Sequence, residues 1–267
     1  MLKQRLLTAA ILIPLLLAAM FLLPALWWQL AIVVPVILAA REWSRLAAFD
    51  RSGEAIFLVV LLAAIGALLV VTNTRAGPAG ESPAAVRVVL GCSVAFWLIV
   101  VPVWLWLKVV LRNRFLLALC GIAVLVPTWL ALAQLQRTAL LLLLLLGVVW
   151  IADTAAYFFG RNFGHHKLAP GISPGKTWEG VAGALATVAV YALIVHLAGV
   201  TGRDGGFLVA TFLGMTVFSI AGDLYESWLK RSAGVKDSGT LLPGHGGILD
   251  RIDGVMAALP LAALIYP

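Results

Sequence analysis

The 267-residue sequence has little charge and almost no cysteine. Charged residues make up 12% of the chain and hydrophobic residues 63%, a balance that excludes an ordinary soluble domain. The two cysteines, Cys92 and Cys120, lie in apolar segments without a CxxC spacing, which favours buried small hydrophobes over a disulfide or a metal site. The composition therefore predicts a polytopic integral membrane protein.

Long apolar runs predict an all-α fold, because a helix needs about 20 apolar residues to cross roughly 30 Å of hydrocarbon. The N-terminal run has a basic start, and we interpret it as a retained first span. The first two spans meet at Pro24 and could instead form one re-entrant hairpin. We predict nine transmembrane helices, at about 6–23, 26–40, 55–72, 86–107, 115–133, 139–159, 178–199, 207–228 and 248–266.

The Lys and Arg residues are distributed unevenly over the predicted connections. When successive connections are assigned to alternate sides, fifteen of the nineteen fall on the side of the N-terminus. By the positive-inside rule this side is cytoplasmic, and the C-terminus lies on the far side. The same rule explains the net charge of +7, so we predict a multi-pass protein of the cell (inner, cytoplasmic) membrane with no nucleic-acid partner.

Readable chemistry is concentrated in the second half of the chain. We divide the sequence into an N-terminal part, 1–135, with about five apolar helices, and a catalytic part, 136–267. The catalytic part contains two polar cytoplasmic loops, at 160–177 and 229–247. Each loop follows a span that runs towards the cytoplasm, so the two loops are expected to meet at one membrane face.

Four carboxylates lie near the cytoplasmic ends of predicted spans: Asp153, Asp223, Asp250 and Asp253. Asp250 and Asp253 are spaced i, i+3, which puts both on one helix face. Charge near hydrocarbon is costly, so these acids indicate a functional site. The alternatives are a neutral or Arg-paired packing acid for Asp153 and Asp223, and an ordinary acidic helix start for Asp250 and Asp253.

A Gly/Pro-rich stretch, 160–180, suits polyanion binding, although cytoplasmic topology alone would also place cations there. It is not a P-loop, since Pro170 stands where glycine is required. His165, His166 and His196 lack partners at zinc spacing. The candidate anion-binding residues of this stretch are Arg161, Lys167, Ser173, Lys176 and Thr177.

Glycines surround His245 immediately before the last predicted span. Gly244, Gly246 and Gly247 allow backbone amides to approach an anion at a helix start. Carboxylates beside such a nest suggest Mg²⁺, which prefers carboxylate and phosphate oxygens. The residues together favour phosphoryl or nucleotidyl transfer to a lipid at the membrane surface.

Two segments resemble the phosphatidate cytidylyltransferase family, also called CDP-diacylglycerol synthases. Residues 227–253 contain Ser-Trp-Leu-Lys-Arg, Lys-Asp-Ser-Gly and Leu-Pro-Gly-His-Gly-Gly-Ile-Leu-Asp-Arg-Ile-Asp, and these 27 residues are similar to the family signature throughout. Residues 160–180 are also similar to the family, except that His165 stands where Lys is expected. Residues 1–135 match only as hydrophobic spans.

The resemblance implies that CTP and phosphatidate give CDP-diacylglycerol and pyrophosphate at the cytoplasmic leaflet, with Mg²⁺ and a monovalent cation such as K⁺. It also implies a homodimer in the lipid bilayer. Asp223 and Asp250 would bind the metal. The remaining implied residues are Lys230, Arg231, Lys236 and Arg251, for pyrophosphate or phosphatidate; Arg161, Lys167, Ser173, Lys176, Ser227, His245, Gly246 and Gly247, for substrate; and Asp153, Glu226, Asp237 and Asp253, in support of the metal ligands.

Two other functional classes fit these patterns less well. A secondary transporter or channel could use Asp153 and Asp223 as an ion-coupling site, but transport sites usually lie near the midplane between repeats, and no internal repeat is visible. A CDP-alcohol phosphotransferase would need a DGxxAR pattern. Asp253-Gly254 is followed by Val-Met-Ala-Ala, so that pattern is not present.

Overall fold

The chain is almost entirely helical. The computed structural model describes residues 2–74, 83–241, 244 and 246–266, which form eleven α-helices and one short β-hairpin. The elements are α1 (Leu2–Leu22), α2 (Ala25–Ala31), α3 (Val33–Leu46), α4 (Arg51–Thr74), α5 (Ala84–Ala95), α6 (Val101–Leu107), α7 (Arg114–Leu135), α8 (Ala139–Phe163), β1 (Lys167–Ala169), β2 (Ser173–Thr177), α9 (Trp178–Leu197), α10 (Gly205–Ser232) and α11 (Leu249–Ile265).

Six helical stretches among these residues are long and apolar enough to cross a membrane. One of them, Arg114–Phe163, has 50 residues and contains both α7 and α8, whereas α11 has only 17 residues. Each of the nine predicted spans overlaps a helix or a pair of successive helices. The prediction of an all-α membrane protein is confirmed, and the count of nine spans stays a prediction.

Tryptophan side chains fix the packing of the N-terminal helices. The indole of Trp28 donates to the Leu132 carbonyl at 3.0 Å, and the indole of Trp43 donates to the Leu117 carbonyl at 2.9 Å. Both tryptophans are buried. Because Trp28 pairs with the end of α7 and Trp43 with its beginning, α7 runs antiparallel to α2 and α3.

Glycines allow the C-terminal helices to approach closely. A Cβ atom at Gly183 of α9 would collide with Phe159 of α8, and one at Gly222 of α10 would collide with the Asp253 backbone of α11. Small residues at such crossings are typical of membrane helix packing. The close contact of α10 with α11 places the acids of these two helices side by side.

The region between α8 and α9 differs from the predicted loop. Helix α8 continues to Phe163, and β1 and β2 pair antiparallel with Lys167 opposite Thr177 and Ala169 opposite Ser173. The start of α9 holds this hairpin, because Glu179 accepts a hydrogen bond from the His166 amide at 3.1 Å. Helix α10 likewise continues to Ser232, which shortens the polar connection that follows it.

Candidate active site

A cavity of about 560 Å³ lies where the end of α8, the hairpin, the start of α9 and helix α10 meet. Its wall includes all five residues that the sequence predicts for anion binding in this stretch: Arg161, Lys167, Ser173, Lys176 and Thr177. Two predicted acids, Asp153 and Asp223, line the same cavity. Cations and carboxylates therefore share one concave site, as metal-assisted phosphate chemistry requires.

The hairpin brings Lys176 directly to α10. Lys176 Nζ lies 2.7 Å from Asp223 Oδ2, and both side chains are partly buried, at 26% and 19% exposure. Thr177, the last residue of β2, is fixed in place because its buried hydroxyl accepts a hydrogen bond from the Gly180 amide and so caps α9. The lysine ammonium is thus placed at the carboxylate that the sequence predicts as a metal ligand.

Asp153, Asp223 and Asp253 come from three different helices and lie close enough for their charges to interact. Asp153 also interacts with the charges of Lys176 and Arg251. The nearness of three carboxylates favours a bound cation, because like charges repel strongly where water is scarce.

A second group of charged side chains, Glu226, Lys230 and Asp250, begins about one helical turn after Asp223 along α10. Lys230 contacts Glu226 and lies 2.6 Å from Asp250 Oδ1. The other oxygen of Asp250 accepts hydrogen bonds from the Ser238 amide at 3.0 Å and the Gly247 amide at 2.8 Å. Asp250 is therefore held by donors from three segments of the chain.

Oxygen donors at Asp223 fit a divalent cation. The buried Ser219 hydroxyl has no hydrogen-bond partner among the described residues. A Cβ atom at Gly254 would collide with this hydroxyl and lie 3.4 Å from Asp223 Oδ1, so the space beside Gly254 is bordered by oxygen. Carboxylate and hydroxyl oxygens suit Mg²⁺. No group of three Asp, Glu, His or Cys side chains with metal-binding geometry is found in the described part of the chain.

Some of the predicted site residues lie at the surface, away from the cavity. Arg231 is exposed in the last turn of α10 and donates weakly to the Val235 carbonyl at 3.4 Å, and Lys236 and Asp237 are exposed beyond the end of this helix. Arg251 is exposed but interacts with Asp153, and Ser227 is half-buried on α10. His245 lies outside the described residues. The two glycines after it, Gly246 and Gly247, lie against Asp250.

Glu42 of α3 is a polar residue at this site that the sequence did not reveal. It is 3% exposed and contacts the start of α11 through the Leu249 amide at 2.8 Å. The available signal was a single acid inside an apolar N-terminal helix, where a carboxylate needs a partner. That signal could not identify a partner about 200 residues away.

Comparison with known proteins agrees with these features. The model of a family described as "Cytidylyltransferase family" matches residues 3–267. A "Phosphatidate cytidylyltransferase" of Pseudomonas aeruginosa is 40% identical over 274 residues, which cover 100% of this chain and 97% of that protein. A protein of the same name from Haemophilus influenzae is 36% identical, covering 100% and 99%. One from Brucella suis is 53% identical over 123 residues, covering 46% and 44%. The chain therefore belongs to the cytidylyltransferase family.

Proposed function

We propose that this protein is a phosphatidate cytidylyltransferase, which converts CTP and phosphatidate into CDP-diacylglycerol and pyrophosphate. The observation that carries the proposal is the full-length similarity to proteins of that name. The cavity supports it, because Arg161, Lys167 and Lys176 surround a space next to Asp223. A nucleoside triphosphate and a phosphate monoester both need such cations.

In the proposed reaction an oxygen of the phosphatidate phosphate attacks the α-phosphorus of CTP. The bond from the α-phosphorus to the bridging oxygen breaks, and pyrophosphate leaves with that electron pair. No side-chain nucleophile is needed, because the attacking oxygen is already anionic. The protein contributes by holding the two phosphates in line and by offsetting their charge.

The cavity residues have separate roles in this proposal. Arg161, Lys167 and Lys176 bind phosphate oxygens, and Ser173 donates a hydrogen bond. Lys230 lies too deep, between Glu226 and Asp250, to be a mobile substrate ligand, so it orients these carboxylates. The exposed Arg231, Lys236 and Arg251 attract the polyanionic substrates to this face and bind the leaving pyrophosphate.

We infer that Mg²⁺ is the cofactor and that Asp223 and Asp250 hold it, with K⁺ as a further cation. The oxygens around Gly254 support a cation at Asp223. At Asp250 the four hydrogen-bond donors fix the carboxylate direction. When bound, Mg²⁺ would neutralise charge on the triphosphate.

We further propose nine spans, with the N-terminus and the cavity on the cytoplasmic side of the cell membrane, and a homodimer. The cation distribution supports the orientation. Helices α7 and α8 would cross separately, because the beginning of α7 contacts Trp43, near the site. At the other end, Gln136, the residue after α7, donates a hydrogen bond to the Leu23 carbonyl. Helix α8 returns from there to Asp153 and the cavity.

The test is turnover by the purified, detergent-solubilised protein, with CTP and phosphatidate each omitted in turn. We expect equimolar pyrophosphate and CDP-diacylglycerol only when both substrates and Mg²⁺ are present. Folded protein that turns over neither CTP nor dCTP would refute the proposal. Ion flux through Asp153 and Asp223 in liposomes would then be measured, although the full-length family match does not favour a transporter.

A further inference from the structure

Glu42 is a buried carboxylate on α3, far in sequence from the other charged residues of the site. Its Oε1 accepts the Ile248 amide at 3.0 Å, and its Oε2 accepts the Leu249 amide at 2.8 Å. Helix α11 begins at Leu249 and has no side-chain cap from Ile248, the residue before it. Glu42 therefore supplies the cap, and its negative charge complements the positive end of the helix dipole.

The same carboxylate contacts the segment that holds Asp250. The Ser238 hydroxyl lies 3.1 Å from Glu42 Oε2 and 3.0 Å from Asp250 Oδ2. A hydroxyl has one proton, so it donates to one carboxylate at a time. The Ser238 amide donates to Asp250 in addition, at 3.0 Å. Glu42 and Asp250 thus hold Ser238 from two sides.

Two glycines, Gly239 and Gly247, lie directly against the Glu42 carboxylate. A Cβ atom at Gly239 would lie 2.5 Å from Glu42 Oε1. One at Gly247 would collide with both the Ser238 hydroxyl and Glu42. Any side chain at Gly239 or Gly247 would push Glu42 away from the start of α11, so both glycines are needed for the carboxylate to fit there.

We propose that Glu42 is a positioning residue for Asp250, a role that rests on the proposed function. Asp250 accepts hydrogen bonds from Ser238 and from the amide of Gly247, and Glu42 holds both of these segments in place through Ser238 and the amides of Ile248 and Leu249. The N-terminal half of the chain is then part of the catalytic apparatus and does more than anchor the protein. A residue with this role acts through Asp250 and touches no substrate.

The experiment compares Glu42→Gln with Glu54→Gln. Glu54 also belongs to the N-terminal half, but within the described part of the chain its side chain forms a solvent-accessible ion pair with Arg41, so its replacement is the matched control. The readouts are kcat, KM for CTP, the Mg²⁺ concentration for half-maximal rate, the melting temperature, and hydrogen exchange of residues 238–249. Exchange reports on the anchoring even without turnover.

For Glu42→Gln we expect kcat to fall roughly 10–100-fold and the Mg²⁺ requirement to rise, as when an outer partner of a metal ligand is removed. We expect KM for CTP within about 3-fold of wild type, since the cavity cations are untouched, and faster exchange at 248–249. Glu54→Gln matches wild type throughout. A folded Glu42→Gln protein with wild-type kcat and Mg²⁺ dependence overturns the proposal.

Two further outcomes are distinguishable. If Glu42→Gln does not fold, the test passes to Ser238→Ala, which keeps Glu42 and removes the shared hydroxyl. A smaller loss of kcat with a raised Mg²⁺ requirement supports the proposal, and wild-type values overturn it. If wild type and Glu54→Gln both lack turnover, the proposed function has failed, and unchanged exchange at 248–249 in Glu42→Gln would refute the anchoring separately.

Discussion

Replacing Lys230 with Met tests the charged group at the centre of the site. Lys230 is 12% exposed at its side chain, and its two partners, Glu226 and Asp250, are 2% and 6% exposed. The substitution keeps the length of the side chain but leaves two buried carboxylates without their cation. Removing one partner of a buried ion pair costs about 3–5 kcal/mol of the free energy of unfolding.

That cost corresponds to a fall in melting temperature of roughly 6–20 °C, at about 2–4 °C per kcal/mol for a chain of this size. The assay is thermal unfolding in detergent, followed by intrinsic tryptophan fluorescence. The stability control is Lys236→Met, which removes an exposed lysine of the same segment and should leave the melting temperature unchanged. A second substitution, Glu226→Gln, makes the test more specific, because it removes one of the two carboxylate charges that Lys230→Met leaves without a cation.

The double variant Glu226→Gln/Lys230→Met should therefore recover part of the melting temperature lost in Lys230→Met. Neighbouring charges are expected to show such non-additive effects. The reasoning is refuted if Lys230→Met melts at the wild-type temperature. It is also refuted if the double variant is no more stable than Lys230→Met.

Two further predictions concern the cavity and the helices around it. Lys176→Met removes the cation at Asp223, and we expect the KM for CTP, measured by pyrophosphate release, to rise by about 10-fold or more. The reason is that a hydrogen bond to a charged group contributes roughly 1.5–3 kcal/mol. An unchanged KM would exclude Lys176 from nucleotide binding. Gly183→Ala forces a methyl group against the Phe159 ring and should lower the free energy of unfolding by about 1–3 kcal/mol. The control is Gly171→Ala, whose methyl group meets open space, so this variant should melt like wild type. Equal melting temperatures for the two variants would contradict the packing of α8 against α9.

Hydropathy was sufficient to predict the helices, because crossing a bilayer imposes both length and apolar composition on each segment. The i, i+4 pair of Glu226 and Lys230 is likewise a local feature that helix geometry makes readable. The hairpin at Lys167–Thr177 was missed. Its strands have three and five residues with Pro and Gly among them, and the contacts of Glu179 hold them rather than any alternation of side chains.

Long-range partners could not be derived from the sequence. Nothing local indicates that Lys176 pairs with Asp223, or that Glu42 caps α11, since these contacts depend on how distant helices pack. The role of Asp250 was expected from the family resemblance, and the structure adds the donors that fix its direction. That Asp223 and Asp250 bind one metal stays a prediction, because the structure pairs each with a different lysine.

The most direct test of the central claim is the release of pyrophosphate from CTP by wild type and by Asp223→Asn in parallel, with phosphatidate present and Mg²⁺ varied. The account predicts Mg²⁺-dependent release that requires phosphatidate in wild type, and a rate reduced at least roughly 100-fold in a variant with the same melting profile. Folded Asp223→Asn protein that releases pyrophosphate at the wild-type rate would contradict it.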